Sequence, residues 1–320
     1  MTSSLVGSEM CIRDRYHVVE DDSDFDYLVA TPWFYVNREA FYDFLERTPG
    51  HITVMYGCHE AIAPDFMLFD YYIGLDTVPG SDRTVKLPYL RHHLQEVHGG
   101  KEGLDAHALL ASKTGFCNFI YANRKSHPNR DAMFHKLSAF RFVNSLGPHL
   151  NNTPGDGHRA EDWYASSIRM KKPYKFSIAF ENAWYPGYTS EKIVTSMLAG
   201  TIPIYWGNPD ISREFNSASF INCHDFPTLD AAAAYVQKVD EDDSLWCEIM
   251  SRPWKTPEQE ARFLEETERE TAKLYKIFDQ SPEEARRKGD GTWVSYYQRF
   301  LKRGHRMQLA WRRLKNRLRR

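Results

Sequence analysis

Between residues 174 and 207 the spacing of apolar positions changes twice, and that change defines the central unit of the chain. Lys175 to Phe180 alternates and then runs apolar as a buried strand does, and Glu181 to Tyr188 is rich in turn formers, with Asn182, Pro186 and Gly187. Thr189-Ser190-Glu191 supplies N-cap and first-turn chemistry. A helix is therefore expected from about Thr189, with Ile193, Met197 and Leu198 on its apolar face and Gly200 at its end. Ile202 to Trp206 follows as a short buried strand. Strand, helix and strand of these lengths make a βαβ unit with parallel strands and a right-handed crossover.

The same alternation runs through the rest of the chain. Tyr27 to Ala30 reads as a strand, Arg38 to Arg47 as a helix with Phe41, Phe44 and Leu45 inward, Ile52 to Tyr56 as a second strand, and Phe66 to Leu75 as a third apolar segment. Lys86-Leu87-Pro88 leads into a helical stretch through His98. Gly99 to Gly103 is the linker candidate and Leu104 to Ser112 a connecting helix. A second series begins with a strand at Phe116 to Tyr121, a helix at Asn129 to Phe140, a strand at Phe142 to Ser145, a polar loop at Pro148 to His158 and a helix at Ala160 to Met170. Beyond the central unit, Asp230 to Val239, Ser244 to Met250 and Pro257 to Phe278 read as helices. Two alternating series joined by a linker predict an α/β protein of two Rossmann-like domains. The expected division is a lead at 1–15 without periodicity, domains at 16–103 and 104–280, and a C-terminal helix with a basic tail at 281–320.

Composition agrees with two cores, since the 320 residues are 42% hydrophobic. The net charge of −2 conceals an asymmetry: residues 301–320 hold nine Lys or Arg and no acid, which leaves the remainder at −11. Cys11, Cys58, Cys117, Cys223 and Cys247 lack metal-type spacing and read as reduced, structural thiols of a cytoplasmic protein. The sequence shows neither a long apolar run nor a secretory leader.

Candidate chemistry gathers at the C-terminal end of the strand Lys175 to Phe180. Open α/β sheets bind ligands there, and the N-terminus of the following helix offers unpaired N–H groups to phosphate. Glu181, Asn182, Tyr188, Glu191 and Lys192 crowd this place. A carboxylate grips ribose hydroxyls, a lysine neutralises a diphosphate and an aromatic ring closes over a sugar. The bland alternative is a capped amphipathic helix with a solvated Glu-Lys pair.

The segments YKFSIAFEN, GYTSEK and TIPIYWGNPDISREFN, continued by Phe220 to Phe226 and backwards through Cys117 to Asn152, resemble the α-1,3/4-fucosyltransferases, glycosyltransferase family 10, of the bacterial type. Ser190 stands between Thr189 and Glu191 where bacterial members have threonine before Glu-Lys, a conservative departure. The resemblance implies a GT-B fold, two facing Rossmann-like domains with a helical tail, the domain at 16–103 serving the acceptor and that at 104–280 holding GDP-fucose. Residues 1–15 do not resemble the family's start and look non-native, so that the first βα unit of the acceptor domain is expected to be missing. The implied activity is inverting transfer of L-fucose from GDP-β-L-fucose to a hydroxyl of an N-acetylglucosamine or glucose unit, giving an α-1,3 or α-1,4 linkage. Two other readings stand beside it: a GT-B transferase for another nucleotide sugar, and an inactive glycan- or membrane-binding protein.

Roles carry over residue by residue. Glu60, in Gly57-Cys58-His59-Glu60, matches by spacing the family's proposed base, with His59 as its rival because His59 and Ala61 stand where the family has Gly and Asn. Arg130 and Lys192 are the implied partners of the departing diphosphate, where charge builds in an oxocarbenium-like transition state. Glu191 matches the ribose contact, and Asn182 and Tyr188 line the pyrophosphate and fucose region with Glu181 beside them. Asn152 resembles the loop next to guanine. No metal or other cofactor is expected, since Arg130 and Lys192 neutralise the diphosphate, and Asp22-Ser23-Asp24 reads as a solvated acidic turn. In the tail, Met307, Trp311, Leu314 and Leu318 lie at helical spacing among Arg306, Arg312, Arg313, Lys315, Arg317, Arg319 and Arg320. That pattern suits an anionic membrane surface on the cytoplasmic face better than nucleic acid or plain packing. An oligosaccharide or glycolipid acceptor completes the expected partners.

Overall fold

The computed structural model describes residues 16–17, 25–35, 41, 44–45, 47, 50–57, 60–76, 78–87, 103–154, 162–289 and 291–317. The lead at 1–15, Asp22-Ser23-Asp24, Cys58, His59, the helical stretch and linker at 88–102, and Leu318 lie outside these residues.

Four parallel strands open the fold: β1 (Tyr27–Ala30), β2 (Ile52–Tyr56), β3 (Tyr71–Gly74) and β4 (Thr84–Lys86), in the spatial order β1-β2-β3-β4. Their register sets Tyr27 opposite Ile52, Val54 opposite Tyr71 and Tyr72 opposite Thr84. A parallel sheet needs cover on both faces. In β2 the two-residue period sends Ile52 and Val54 to one core, with Tyr71, Ile73 and Val85, and Met55 to the other, with Phe41, Phe44, Leu45, Phe69 and Tyr72. The apolar segment Phe66 to Leu75 is only partly a strand. Phe66, Met67 and Leu68 form a turn, and pairing with β2 begins at Tyr71.

The second unit starts with a short helix α1 (Ala106–Ala111), capped by Asp105, and a strand β5 (Gly115–Phe119). Helix α2 (Asn129–Phe140), β6 (Val143–Ser145), α3 (Trp163–Lys171), β7 (Tyr174–Phe180), α4 (Glu191–Leu198), β8 (Ile202–Trp206) and β9 (Ile221–Asn222) follow, then α5 (Leu229–Glu241) and α6 (Asp243–Ser251). The five strands are parallel in the order β6-β5-β7-β8-β9. Phe176, Ile178, Phe180, Ile202, Ile204 and Trp206 face one core with Phe119, Met133, Phe134 and Val236. Ala179 and Tyr205 face the other, where α4 lays down Ile193, Val194 and Met197. Each large apolar side chain fully removed from water contributes about 1.5–3 kcal/mol, so the paired faces of β7 and β8 make this strand pair the anchor of the unit. Helix α4 begins at Glu191 with Ser190 as N-cap, one to two residues later than the sequence pattern predicts. The Ser190 hydroxyl does not cap the helix but donates to Glu181 instead.

The long helix α7 (Pro257–Phe278) leaves the second unit, and the chain finishes with α8 (Pro282–Ala285) and α9 (Thr292–Arg317). The sequence pattern ends the second domain at residue 280 and sets 281–320 apart. The compact units of the structure are instead residues 1–87 with 268–320, and residues 88–267. The cause is packing: Leu274, Ile277 and Ala285 join Ile52, Val54, Tyr71 and Ile73 in one core. Asp70, fully buried, then ties the return into the first sheet. One of its carboxylate oxygens accepts from the N–H groups of Arg287 at 2.9 Å and Lys288 at 2.6 Å, and the other from the N–H and hydroxyl of Thr53, both at 2.8 Å.

Candidate functional site

The strand order of the second sheet locates its crevice. From β5 the chain moves to one side for β6 and returns on the other at β7, so neighbouring connections diverge beyond the C-terminal ends of β5 and β7, where α/β sheets receive ligands. Tyr121 and Asn123 follow β5, and Glu181 and Asn182 follow β7.

Arg130 stands in the first turn of α2 and is completely buried. Its guanidinium carbon lies 4.3 Å above the centre of the Tyr121 ring. One terminal nitrogen donates to Asn182 Oδ1 at 3.2 Å and the other to the Asn123 carbonyl. Nε has no hydrogen-bond partner and faces Asp131 at 3.8 Å. Burial lowers the affinity of this guanidinium for its proton, opposed by Tyr121 and Asp131, yet arginine stays charged. A buried cation stacked on one ring and fixed by two acceptors is rigid and keeps an unused donor.

The other half of the site surrounds Lys192. Glu181, fully buried, accepts from the Ser190 N–H and hydroxyl, each at 2.7 Å, and from Lys192 Nζ at 3.1 Å. Three converging donors suit a carboxylate. Burial pushes the Glu181 carboxyl up, against the pull of the Lys192 ammonium. Lys192 Nζ also donates to Ser190 Oγ at 2.7 Å and meets Glu191 at 3.6 Å. Burial works against the ammonium, but the two carboxylates hold its pKa well above the ordinary lysine value, so it is charged throughout the physiological range. For Glu191 the penalty of burial is outweighed by Lys192, and its carboxyl lies below the ordinary range.

The glycine after β8 makes room for this cluster. Gly207 has φ +150°, and a Cβ there would lie 2.5 Å from Glu181 Cβ. The Gly-Tyr turn is pinned by Asn208, which accepts from Gly187 N at 2.8 Å and donates to Thr189 Oγ1 at 3.0 Å. Tyr188 is buried beneath that turn. The Trp206 ring neighbours two histidines, His127 at 4.4 Å and His224 at 5.9 Å between ring centres. His224 Nε2 accepts from Gly207 N, and burial lowers its pKa, so the imidazole is neutral.

Arg130, Glu181, Asn182, Tyr188, Glu191 and Lys192 thus gather at the C-terminal end of the second sheet. Asn152 does something else: its amide accepts from Ser145 N at 2.7 Å and donates to Val143 O at 2.9 Å, which satisfies the outer edge of β6. Glu60 belongs to the first unit, in the turn after β2, where its N–H donates to Gly57 O and its carbonyl accepts from Ile62 N. Tyr121, Asn123, His127, Asn208 and His224 are absent from the sequence-based site. The Asn208-Pro209 turn signal points to one of them, but the stacking of Tyr121 and His127 depends on contacts remote in sequence. Among the described residues no three His, Cys, Asp or Glu side chains form a metal-holding group.

Two parallel α/β sheets, a helical C-terminus and a cluster of cations at the switch point of the second sheet define a glycosyltransferase fold of the GT-B type, as the sequence resemblance implies. The model of glycosyltransferase family 10 (fucosyltransferase), C-terminal part, matches residues 110–286. The chain belongs to that family. It is 29% identical over 238 residues to the α-(1,3)-fucosyltransferase FucT of Helicobacter pylori, covering 64% of this chain and 48% of the relative. It is 24% identical over 226 residues to the α-(1,4)-fucosyltransferase of Arabidopsis thaliana, covering 59% and 55%. The chain spans about half the length of these curated relatives. The crystal structure of an α1,3-fucosyltransferase with GDP superimposes with a TM-score of 0.60 at 25% identity, over 78% of this chain and 76% of that one.

Proposed function

We propose that the protein is a fucosyltransferase that moves L-fucose from GDP-β-L-fucose to a hydroxyl of an N-acetylglucosamine or glucose unit, with inversion, to form an α-1,3 or α-1,4 linkage. The observation that carries this reading is the pairing of a fully buried Arg130 with a partly buried Lys192 at the switch point of the second sheet. Breaking the bond between fucose C1 and the phosphate oxygen leaves charge on GDP. Lys192, partly exposed and fixed by Glu181 and Ser190, meets that charge directly, and the buried, immobile guanidinium of Arg130 adds its positive field from beneath, where preorganised charge lowers a barrier most. Glu191 takes the ribose hydroxyls, and Asn182 and Tyr188 the pyrophosphate and sugar. Glu60 removes the proton of the acceptor hydroxyl as its oxygen forms the new bond to C1. With two cations present at the diphosphate, no metal ion is required.

The basic tail supports a second part of the proposal, a place on the cytoplasmic face of an anionic membrane, with a glycolipid or oligosaccharide acceptor destined for the cell surface. In α9, Tyr297 and Leu301 pack against the first core, whereas Trp293, Tyr296, Phe300, Met307 and Trp311 are exposed. Large apolar side chains on a basic helix suit the boundary between headgroups and acyl chains.

The test is a transfer assay with a panel of GDP-, UDP- and dTDP-sugars, with and without EDTA, and linkage analysis of the product. Fucose transfer from GDP-fucose alone, undiminished by EDTA, is expected. Transfer of a different sugar, or binding without turnover, overturns the reading.

A further inference from the structure

Lys171, the last residue of α3, has no part in the chemistry above, yet its ammonium is buried directly behind the donor cluster. Nζ donates to Thr195 Oγ1 at 2.6 Å, to Ser196 Oγ at 3.2 Å and to the Lys192 carbonyl at 3.4 Å. The two hydroxyls continue the network upward: Thr195 donates to Glu191 O at 2.8 Å and Ser196 to Lys192 O at 2.7 Å. Every branch ends on the backbone of the two residues whose side chains form the site. The charges that face Lys171 are Glu191 and Lys192 from the first turn of α4 and Glu181 from the end of β7.

The balance of those charges gives Lys171 a second role. Three carboxylates, Glu181, Glu191 and Asp131, stand against the two cations Lys192 and Arg130. A further cation beside them shifts that balance toward binding a diphosphate. Resting on the reading of this cluster as the site for a nucleoside diphosphate sugar, we propose that Lys171 is a positioning residue of the donor site. It holds the first turn of α4 and, while protonated, supplies the charge that makes the cluster an anion receptor.

Burial drives the pKa of Lys171 down from 10.5 to about 7. The ammonium that is present at pH 6 is therefore largely lost at pH 8. An anion bound nearby favours the charged form, so by linkage GDP-fucose must bind more tightly at the lower pH. At a separation of about 10 Å and an effective permittivity of about 20, one charge alters an anion's affinity by roughly tenfold.

The experiment is calorimetric titration of the full chain with GDP-fucose between pH 6 and pH 8. This ligand serves better than GDP because its phosphates do not titrate in that range. The wild-type Kd is expected to rise roughly five- to tenfold across the interval. In Lys171→Met the Kd should be high and flat, and in Lys171→Arg, which keeps its charge, flat and no weaker at pH 8 than the wild type. If Lys171→Met weakens binding equally at all pH values and keeps the wild-type slope, or if Lys171→Arg keeps that slope, Lys171 only packs and the inference fails. Should Lys171→Met not fold, the Lys171→Arg profile decides alone. A wild-type protein that binds no GDP-fucose at any pH instead overturns the donor reading, and this inference with it.

Discussion

Gly207 and Glu181 share a space that admits no further carbon: a Cβ on Gly207 would sit 2.5 Å from both Cβ and Cγ of Glu181. The positive φ of +150° adds backbone strain for any other residue. Gly207→Ala should therefore push Glu181 away from Ser190 and Lys192. We expect kcat/KM for GDP-fucose to fall at least tenfold, and stability to fall by about 1–3 kcal/mol, the usual range for overpacking. Wild-type kinetics in a folded variant would show that Glu181 does not need its present position.

Removal of either cation should slow the chemistry. Lys192→Ala and Arg130→Ala are each expected to lower kcat by roughly 100-fold, because each deletes a fixed positive charge beside the charge developing on the diphosphate. Arg130 also joins Asn123, Asn182 and Tyr121, so its loss should reduce thermal stability, which Lys192→Ala should do less. Near-wild-type turnover of either protein, with folding verified by circular dichroism, defeats the assignment.

For the base, Glu60→Gln is expected to reduce transfer roughly 100- to 10,000-fold while leaving GDP-fucose affinity close to that of the wild type. The amide keeps the size and one acceptor oxygen, so packing cannot account for such a loss. Retained activity in Glu60→Gln together with a loss in His59→Gln would move the role to His59. Collapse of donor binding would place Glu60 in the nucleotide site instead.

Asp70 predicts an acid limit to stability. Burial alone would raise its carboxyl, but the N–H groups of Thr53, Lys288 and Arg287 outweigh burial and bring it below the ordinary value of 3.8. A carboxylate bound more firmly in the folded state stabilises the protein above its unfolded pKa, and that contribution disappears as the pH falls through the lower, folded value. Asp70→Asn leaves two of the four donors facing an amide that cannot accept from them, at a cost of about 2–4 kcal/mol. Thermal melts should show Tm lower by roughly 5–10 °C at neutral pH, with the gap closing at low pH. An unchanged Tm would mean that the C-terminal return is held without Asp70.

The basic tail predicts association of residues 301–320 with vesicles of anionic phospholipid, weakening as salt rises because its nine cations are screened. Flotation assays of the full chain at low and high ionic strength measure this directly. Binding that ignores salt, or none, argues for packing alone.

Most sheet strands and α4 were legible because their patterns are local, whereas β4 and β9, of three and two residues, are too short to carry one. Ile52 to Tyr56 and Ile202 to Trp206 are apolar over their full length, as strands covered on both faces must be, and the Gly-Tyr turn before Glu191 marks the helix that follows. Contacts remote in sequence were not legible. Nothing near Asn152 discloses that its amide completes the edge of β6, and nothing near Lys171 discloses that Thr195 and Ser196 will receive its ammonium. The division of the chain was misplaced for the same reason, since Leu274 and Ile277 lie on a helix whose periodicity does not tell which core it enters.

The first unit is assembled from two distant stretches of the chain, with Asp70 waiting for backbone N–H groups made more than two hundred residues later. During synthesis a ribosome releases the whole of residues 88–267 before it releases Arg287 and Lys288. The second unit can therefore settle on the nascent chain while the first still lacks Leu274, Ile277 and Ala285 and keeps an apolar face uncovered. Nascent-chain lengths between these two points are where chaperone engagement and misassembly should concentrate.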